Sequence, residues 1–161
     1  MKTAVRLIFL VMVSAWAACA APTAEMVPAG ETEASPGTCP QERRTPTAPA
    51  EFLSLRNPRA GSPQASAAGR ALFLKEARPL PCKLCHGARG DGRGDPDFDS
   101  TPPARNFTCA ATMNALSDGQ LFWIIRNGSP KTAMPAYKGS LSDTDIWNLI
   151  TYIRSLASKV Q

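Results

Sequence analysis

Apolar side chains recur at helical spacing in three stretches of this chain and are scarce between them. The first stretch runs from Ser66 to Ala77, with Leu72 and Phe73 on its inner face and Pro79 and Pro81 ending it. The second opens at Leu116-Ser117-Asp-Gly-Gln120-Leu121, which puts serine at the cap, glutamine three residues on and leucines at the staple positions. It carries Leu121, Phe122, Ile124 and Ile125, and Asn127-Gly128 marks its stop. Leu141-Ser142-Asp-Thr-Asp145-Ile146 repeats that punctuation for the third, whose Ile146, Leu149, Ile150 and Ile153 share a face. No run alternates convincingly with period two, so the pattern predicts an all-α domain. Gly69 lies inside the first helix, where glycine costs roughly 1 kcal/mol against alanine, and so predicts close approach by another backbone.

Outside these stretches the pattern changes character. Lys2 and Arg6 precede an apolar run from Leu7 to Ala18, which predicts a secretory leader over residues 1–18 and is short for a spanning helix. Residues 19–50 are rich in Pro, Ala, Thr, Glu and Gly with hardly an aromatic. Such a segment cannot bury enough apolar area to offset the entropy of ordering it, which predicts a flexible tether. Hydrophobicity returns at Glu51-Phe-Leu-Ser-Leu55, an arm laid on a domain spanning 51–161. Gly87 to Gly94 reads as a loop and Thr101-Pro-Pro-Ala-Arg-Asn-Phe107 as an extended, proline-stiffened strip. Asp95, Asp97 and Asp99 alternate like the opening of a calcium loop, but the required glycine and closing glutamate are missing, which leaves a solvated acidic turn.

A length of 161 residues allows one domain and a tail. The formal net charge of +5 comes without aromatic-basic interleaving, so nucleic-acid binding finds no support. Scattered lysines suit docking against acidic patches of partner proteins, or simple solubility.

The chemistry concentrates in Cys82-Lys83-Leu84-Cys85-His86. Outside the cytoplasm C-x-x-C-H is a haem attachment signature. Two thiols one helical turn apart can each add to a vinyl group on one edge of the macrocycle, and the adjacent imidazole then falls under the iron. Cys82 and Cys85 are thus the thioether anchors and His86 the proximal ligand. Two other uses of C-x-x-C compete: a zinc site, for which Cys109 offers a further ligand, and a redox dithiol, which needs a βαβ frame. His86 is the only histidine, which excludes bis-histidine ligation within the chain and turns attention to methionine sulfur as the second ligand. Met1 and Met12 fall in the leader and Met26 in the tether, leaving Met113 and Met134. Met134 sits in the loop-forming Gly128-Ser-Pro-Lys-Thr-Ala-Met134-Pro135, where proline holds the chain extended beside it. Met113 reads as an ordinary apolar residue near a helix start.

Gly69-Arg-Ala-Leu-Phe73, Cys82-Lys-Leu-Cys-His-Gly87 with Gly90-Asp-Gly-Arg-Gly94, Ala133-Met134-Pro135 and Leu149-Ile-Thr-Tyr-Ile-Arg-Ser-Leu156 together resemble the class I c-type cytochromes, small monohaem electron carriers. The resemblance spans roughly the last hundred residues, with these elements in the family's order. It implies a cytochrome c fold of three to four helices around one covalently attached haem c, with an irregular N-terminal extension added here. It implies too that the first and last helices cross near Gly69, and that a proline carbonyl, from Pro102 or Pro103, accepts the free N–H of the haem histidine. By position Arg105 is a partner for a haem propionate. The implied function is electron carriage between redox partner proteins, without catalysis.

The five cysteines complete the sequence reading. Ala17-Ala18-Cys19 resembles a bacterial lipoprotein processing site, which would anchor the chain to a membrane through lipid at Cys19; ordinary cleavage after Ala17 or Ala20 is the rival. Cys39 and Cys109 remain, and in an oxidising, periplasmic or otherwise extracytoplasmic compartment they pair as a disulfide or stay as free thiols. Two other haem functions compete with a carrier. A peroxidase needs an open sixth site with an acid-base residue above it, and a gas-binding or sensory haem needs a displaceable Met134.

Overall fold

A computed structural model describes residues 35–41, 45–98 and 100–157; the expected leader, Cys19 and the tether as far as residue 34 lie outside it. The described residues form α1 (Ala50–Leu53), α2 (Pro63–Ala71), α3 (Lys83–His86), α4 (Ala110–Asn114), α5 (Asp118–Asn127) and α6 (Asp143–Ala157). Among them the only bridge outside helices pairs Lys138 with Leu141, so the described residues have the expected all-α architecture.

The helices start and stop for local reasons. α2 begins three residues earlier than the periodicity predicts, because Ser62 accepts a hydrogen bond from the Ala65 N–H (3.2 Å) and Pro63 fills the first helical position, where a missing N–H costs nothing. It runs on into a π-helical turn, Leu72–Glu76, closed by the Ala77 N–H on the Leu72 carbonyl at 3.1 Å. At the head of α6, Ser142 and Asp145 form a reciprocal capping box: the Ser142 hydroxyl accepts from the Asp145 N–H and the Asp145 carboxylate accepts from the Ser142 N–H, both at 3.1 Å. At the head of α5 the box is only half made. Ser117 accepts from the Gln120 N–H (3.1 Å), but the Gln120 amide turns outward to the N-terminal segment.

α2 and α6 cross at Gly69. A Cβ there would collide with the Asn148 carbonyl of α6, so only hydrogen lets the two backbones meet. Around this crossing Phe73, Met113, Ile146, Leu149 and Ile150 are wholly enclosed, each such side chain contributing roughly 1.5–3 kcal/mol by leaving water. Phe52 of α1 stacks on Phe122 of α5 (centroids 6.3 Å apart), and Phe122 stacks on Trp147 of α6 (4.3 Å), which ties the arm to the bundle. The Arg154 guanidinium of α6 pairs with Asp118 (2.8 Å) and donates to the carbonyls of Met113 and Leu116, joining the end of α4 to the start of α5.

The segment before residue 50 differs from the expected tether. Residues 35–41 and 45–49 pack on the domain, with Gln41 and Ala48 buried. Composition missed this because the segment is held by polar clips rather than by an apolar face. Gln120 accepts from the Ala48 N–H (2.8 Å) and donates to the Pro46 carbonyl (3.0 Å), and the Arg105 guanidinium donates to the Thr45 hydroxyl (2.8 Å). Cys39 and Cys109 are joined by a disulfide. Further along, the Asn57 side chain donates to the Trp147 carbonyl (3.1 Å) and the Thr151 hydroxyl (2.9 Å) on α6.

Candidate haem centre

The C-x-x-C-H stretch forms one helical turn. Cys82 precedes α3, and its carbonyl accepts from the His86 N–H at 3.0 Å, so the spacing of the two cysteines becomes a single rise on one face. The chain must then reverse at once. Gly87 allows it with φ +78°, where a Cβ would also strike the Asp91 side chain and the Arg93 carbonyl. The loop behind it is pinned by the Gly92 N–H on the His86 carbonyl (2.9 Å) and the Asp95 N–H on the Leu84 carbonyl (2.7 Å).

The His86 ring is buried and fixed on two sides. It stacks on Phe107, centroids 4.3 Å apart and planes 19° from parallel, and its Nδ1 lies 3.0 Å from the Arg105 carbonyl. A carbonyl can only accept, so Nδ1 carries a proton and donates it, and Nε2 is the ring nitrogen that could bind a metal. The expected acceptor was Pro102 or Pro103; it is Arg105 instead. The Arg105 carbonyl and the Asn106 N–H belong to one planar trans peptide and so point opposite ways. The Ala104 carbonyl and the Asn106 N–H face Gln41, at 3.1 Å each, which turns the Arg105 carbonyl and the Phe107 N–H towards His86 and Gly90. The Pro103 carbonyl lies on the Gln41 side, 3.5 Å from the Gln41 amide nitrogen.

Met134 is carried by a tight turn after α5. Thr132 donates from its hydroxyl to the Ser129 carbonyl (2.9 Å) and accepts from the Met134 N–H (3.2 Å), while the Met134 carbonyl accepts from the Ser129 N–H (3.3 Å). The next strut is Tyr137, whose hydroxyl donates to the Leu80 carbonyl at 2.6 Å and whose N–H reaches the end of α5 at Ile125. Met113, by contrast, is wholly enclosed in the core.

Two clefts open between these parts. Cys82, Cys85, Pro81, Pro102, Pro135 and Tyr137 line one; Thr45, Arg105, Gln120, Leu121, Ile125 and Ile153 line the other. His86 and Met134 are the two residues common to both. Burial pushes the Cys82 thiol up to about 12, against smaller lowering by its own backbone and by a hydrogen bond with Tyr137; burial also raises Cys85. Burial, then the two thiols, raises Tyr137 as well. Both thiols are therefore protonated at neutral pH in the haem-free chain and unbonded to each other.

This donor set fits haem c: a pair of thiols at one rim, an imidazole oriented through Nδ1, a thioether in the same space and largely apolar walls. It does not fit the competing uses of C-x-x-C. Cys109 is committed to Cys39, and among the described residues no group of three His, Cys, Asp or Glu gathers to hold a metal ion. Nor is there a βαβ frame among them for a redox dithiol. The Arg105 side chain, expected at a propionate, borders the second cleft and bonds Thr45. Phe107, Gln41 and Thr45 were not foreseen as parts of the site. Phe107 was visible as the only aromatic of its strip, and Gln41 as the near neighbour of a cysteine with a partner at 109.

The family described as "Cytochrome C oxidase, cbb3-type, subunit III" matches residues 64–153, more than half of the chain. A search of the curated proteins finds no match. Among solved structures the chain is similar to one in the "Kuenenia stuttgartiensis reducing HAO-like protein complex Kustc0457/Kustc0458", at 25% identity and a TM-score of 0.49, covering 70% of this chain and 51% of that one. This chain thus spans about half the length of that one. With the attachment motif, the helical frame and the family match in agreement, the protein belongs to this family of cytochrome c domains and is a c-type cytochrome, carrying its haem covalently and serving electron transfer.

Proposed function

We propose that the protein carries single electrons between two redox partner proteins outside the cytoplasm, with Cys82 and Cys85 bound to the haem as thioethers and His86 and Met134 as its axial ligands. Haem supplies an iron that alternates between ferrous and ferric states. The chain does the rest. The Arg105 carbonyl holds the Nδ1 proton of His86, so the imidazole stays in one tautomer with Nε2 presented. Phe107 keeps the ring from rotating. The apolar cleft walls exclude water and keep the local dielectric low, and the soft sulfur of Met134 favours the reduced metal, so both raise the potential.

The observation that supports this reading is that His86 and Met134 are shared by both clefts. Its test is the ferric absorption spectrum of the mature protein. A low-spin spectrum with the weak far-red band of methionine-to-iron ligation is expected, and Met134→Ala abolishes that band. A high-spin spectrum in the unaltered protein would instead turn the reading towards a peroxidase or a gas-binding haem.

Extracytoplasmic placement belongs to this proposal. The basic-apolar start of the chain and the need of haem attachment for an exporting compartment support a leader over 1–18, with either lipid at Cys19 or plain cleavage beside it. No helix among the described residues is long and apolar enough to cross a membrane. Residues 35–41 and 45–49 lie on the domain and are no part of a free tether. Mass spectrometry of the mature N terminus separates lipid from cleavage: a diacylated Cys19 supports the anchor, and a start at Ala18 or Ala21 removes it.

A further inference from the structure

We propose that Gln41, in the N-terminal extension, is a positioning residue for the proximal ligand: it sets the hydrogen bond between the Arg105 carbonyl and His86 and thereby tunes the iron. The inference rests on the reading of His86 as an axial ligand.

Gln41 makes more directed contacts than its place in a proline-rich extension demands. It is 5% exposed; its backbone N–H donates to the Thr112 hydroxyl at 3.2 Å, and its side chain engages both sides of a peptide pair, donating to the Ala104 carbonyl and accepting from the Asn106 N–H. Those two bonds fix the one feature of the strip that matters for haem, which is the side on which residue 105 presents its carbonyl. The Asn106 N–H held by Gln41 is in the same planar trans peptide as the Arg105 carbonyl, which must therefore point the other way. A second clip, from the Asn106 amide to the Gly37 carbonyl (3.0 Å), and the Cys39–Cys109 disulfide hold the extension in register with the strip. The carbonyl is 3.0 Å from Nδ1 and no helix carries it, so the clip on its own peptide group helps to align it.

The physical consequence has a definite sign. A strong bond from Nδ1–H to a carbonyl gives the imidazole more anionic character, which favours ferric over ferrous iron. Releasing the carbonyl weakens that donation and favours ferrous. Gln41 acts through the ligand's own partner rather than on the ligand, so its effect is smaller than that of losing the partner itself.

The test compares Gln41→Leu and Gln41→Met, which keep the volume and remove the side-chain bonds to the strip, with Asn57→Ala, which unclips the arm from α6 without touching the strip. Three readouts apply to the holoprotein: the ferrous-to-ferric ratio at a fixed applied potential, the exchange rate of the His86 Nδ1 proton by NMR, and amide exchange at Asn106 and Phe107. For the Gln41 variants the ratio is expected to rise about threefold, where tenfold corresponds to about 59 mV for one electron, and all three protons to exchange faster. Asn57→Ala is expected to lower the unfolding midpoint and leave the ratio alone. An unchanged ratio and Nδ1 exchange in a folded Gln41 variant overturns the inference, as does an equal shift in Asn57→Ala. Should Gln41→Leu not fold, Gln41→Met carries the decision. Paramagnetically unshifted His86 ring protons in the ferric unaltered protein would instead overturn the ligand assignment itself.

Discussion

The two sides of the candidate haem centre are built to different standards. His86 sits in a helical turn, is stacked on Phe107, bonded to the Arg105 carbonyl, and backed by a strip that Gln41 and the Cys39–Cys109 disulfide brace from behind. Met134 hangs on a turn closed over a few residues by the Thr132 hydroxyl and the Ser129 backbone, with Tyr137 as its nearest long-range strut. Long-range bracing makes one position expensive to move; local closure makes the other cheap to move. On this comparison, stress on the molecule frees the methionine side while the histidine side stands.

The largest effect that follows is at the anchor. His86→Ala, or Cys82→Ser with Cys85→Ser, is expected to remove nearly all covalently bound haem, as haem staining on a denaturing gel would report. Met134→Ala is expected to keep the haem bound, turn the ferric iron high-spin, and lower the potential by on the order of 0.1 V, a fraction of the ~0.8 V that axial ligands span. A Met134→Ala protein that loses haem as completely as the His86 variant would abolish the asymmetry. Breaking the disulfide by Cys39→Ser with Cys109→Ser is expected to cost about 3–4 kcal/mol in denaturant unfolding of the domain. If the histidine side is the braced one, that loss appears with the far-red methionine band still in place. The smallest effect sharpens the picture from the other side. Thr132→Val is expected to remove about 1 kcal/mol of local restraint and to raise the affinity for added imidazole several-fold, with little change in global unfolding.

The same contrast sorts what could be read from the chain alone. Cys82, Cys85 and His86 announce themselves because attachment chemistry demands a spacing, and Gly69 because a helix tolerates glycine there only for a close crossing, which Asn148 supplies. The caps at Ser117 and Ser142 are local, so they too were legible. The bracing was not. Gln41, Thr45 and Gln120 act through single hydrogen bonds between segments far apart in sequence, which leave no periodic trace. A proline-rich composition then suggested a free tether where residues 35–41 and 45–49 are in fact fastened down. The exchange of Pro103 for Arg105 at the histidine has a similar origin. Which carbonyl faces the ring depends on how the 105–106 peptide is held from outside the strip, not on the identity of the residue that bears it.

The crossing of α2 with α6 leaves the haem rim to other parts of the chain. Phe73 is enclosed in a cluster that includes Ile146 to Ile153. The rim that carries Cys82 and Cys85 is walled instead by Ala133, Met134, Pro135 and Tyr137, from the segment between α5 and α6. Packing of the bundle and cover over the two sulfurs therefore fall to separate segments of the chain.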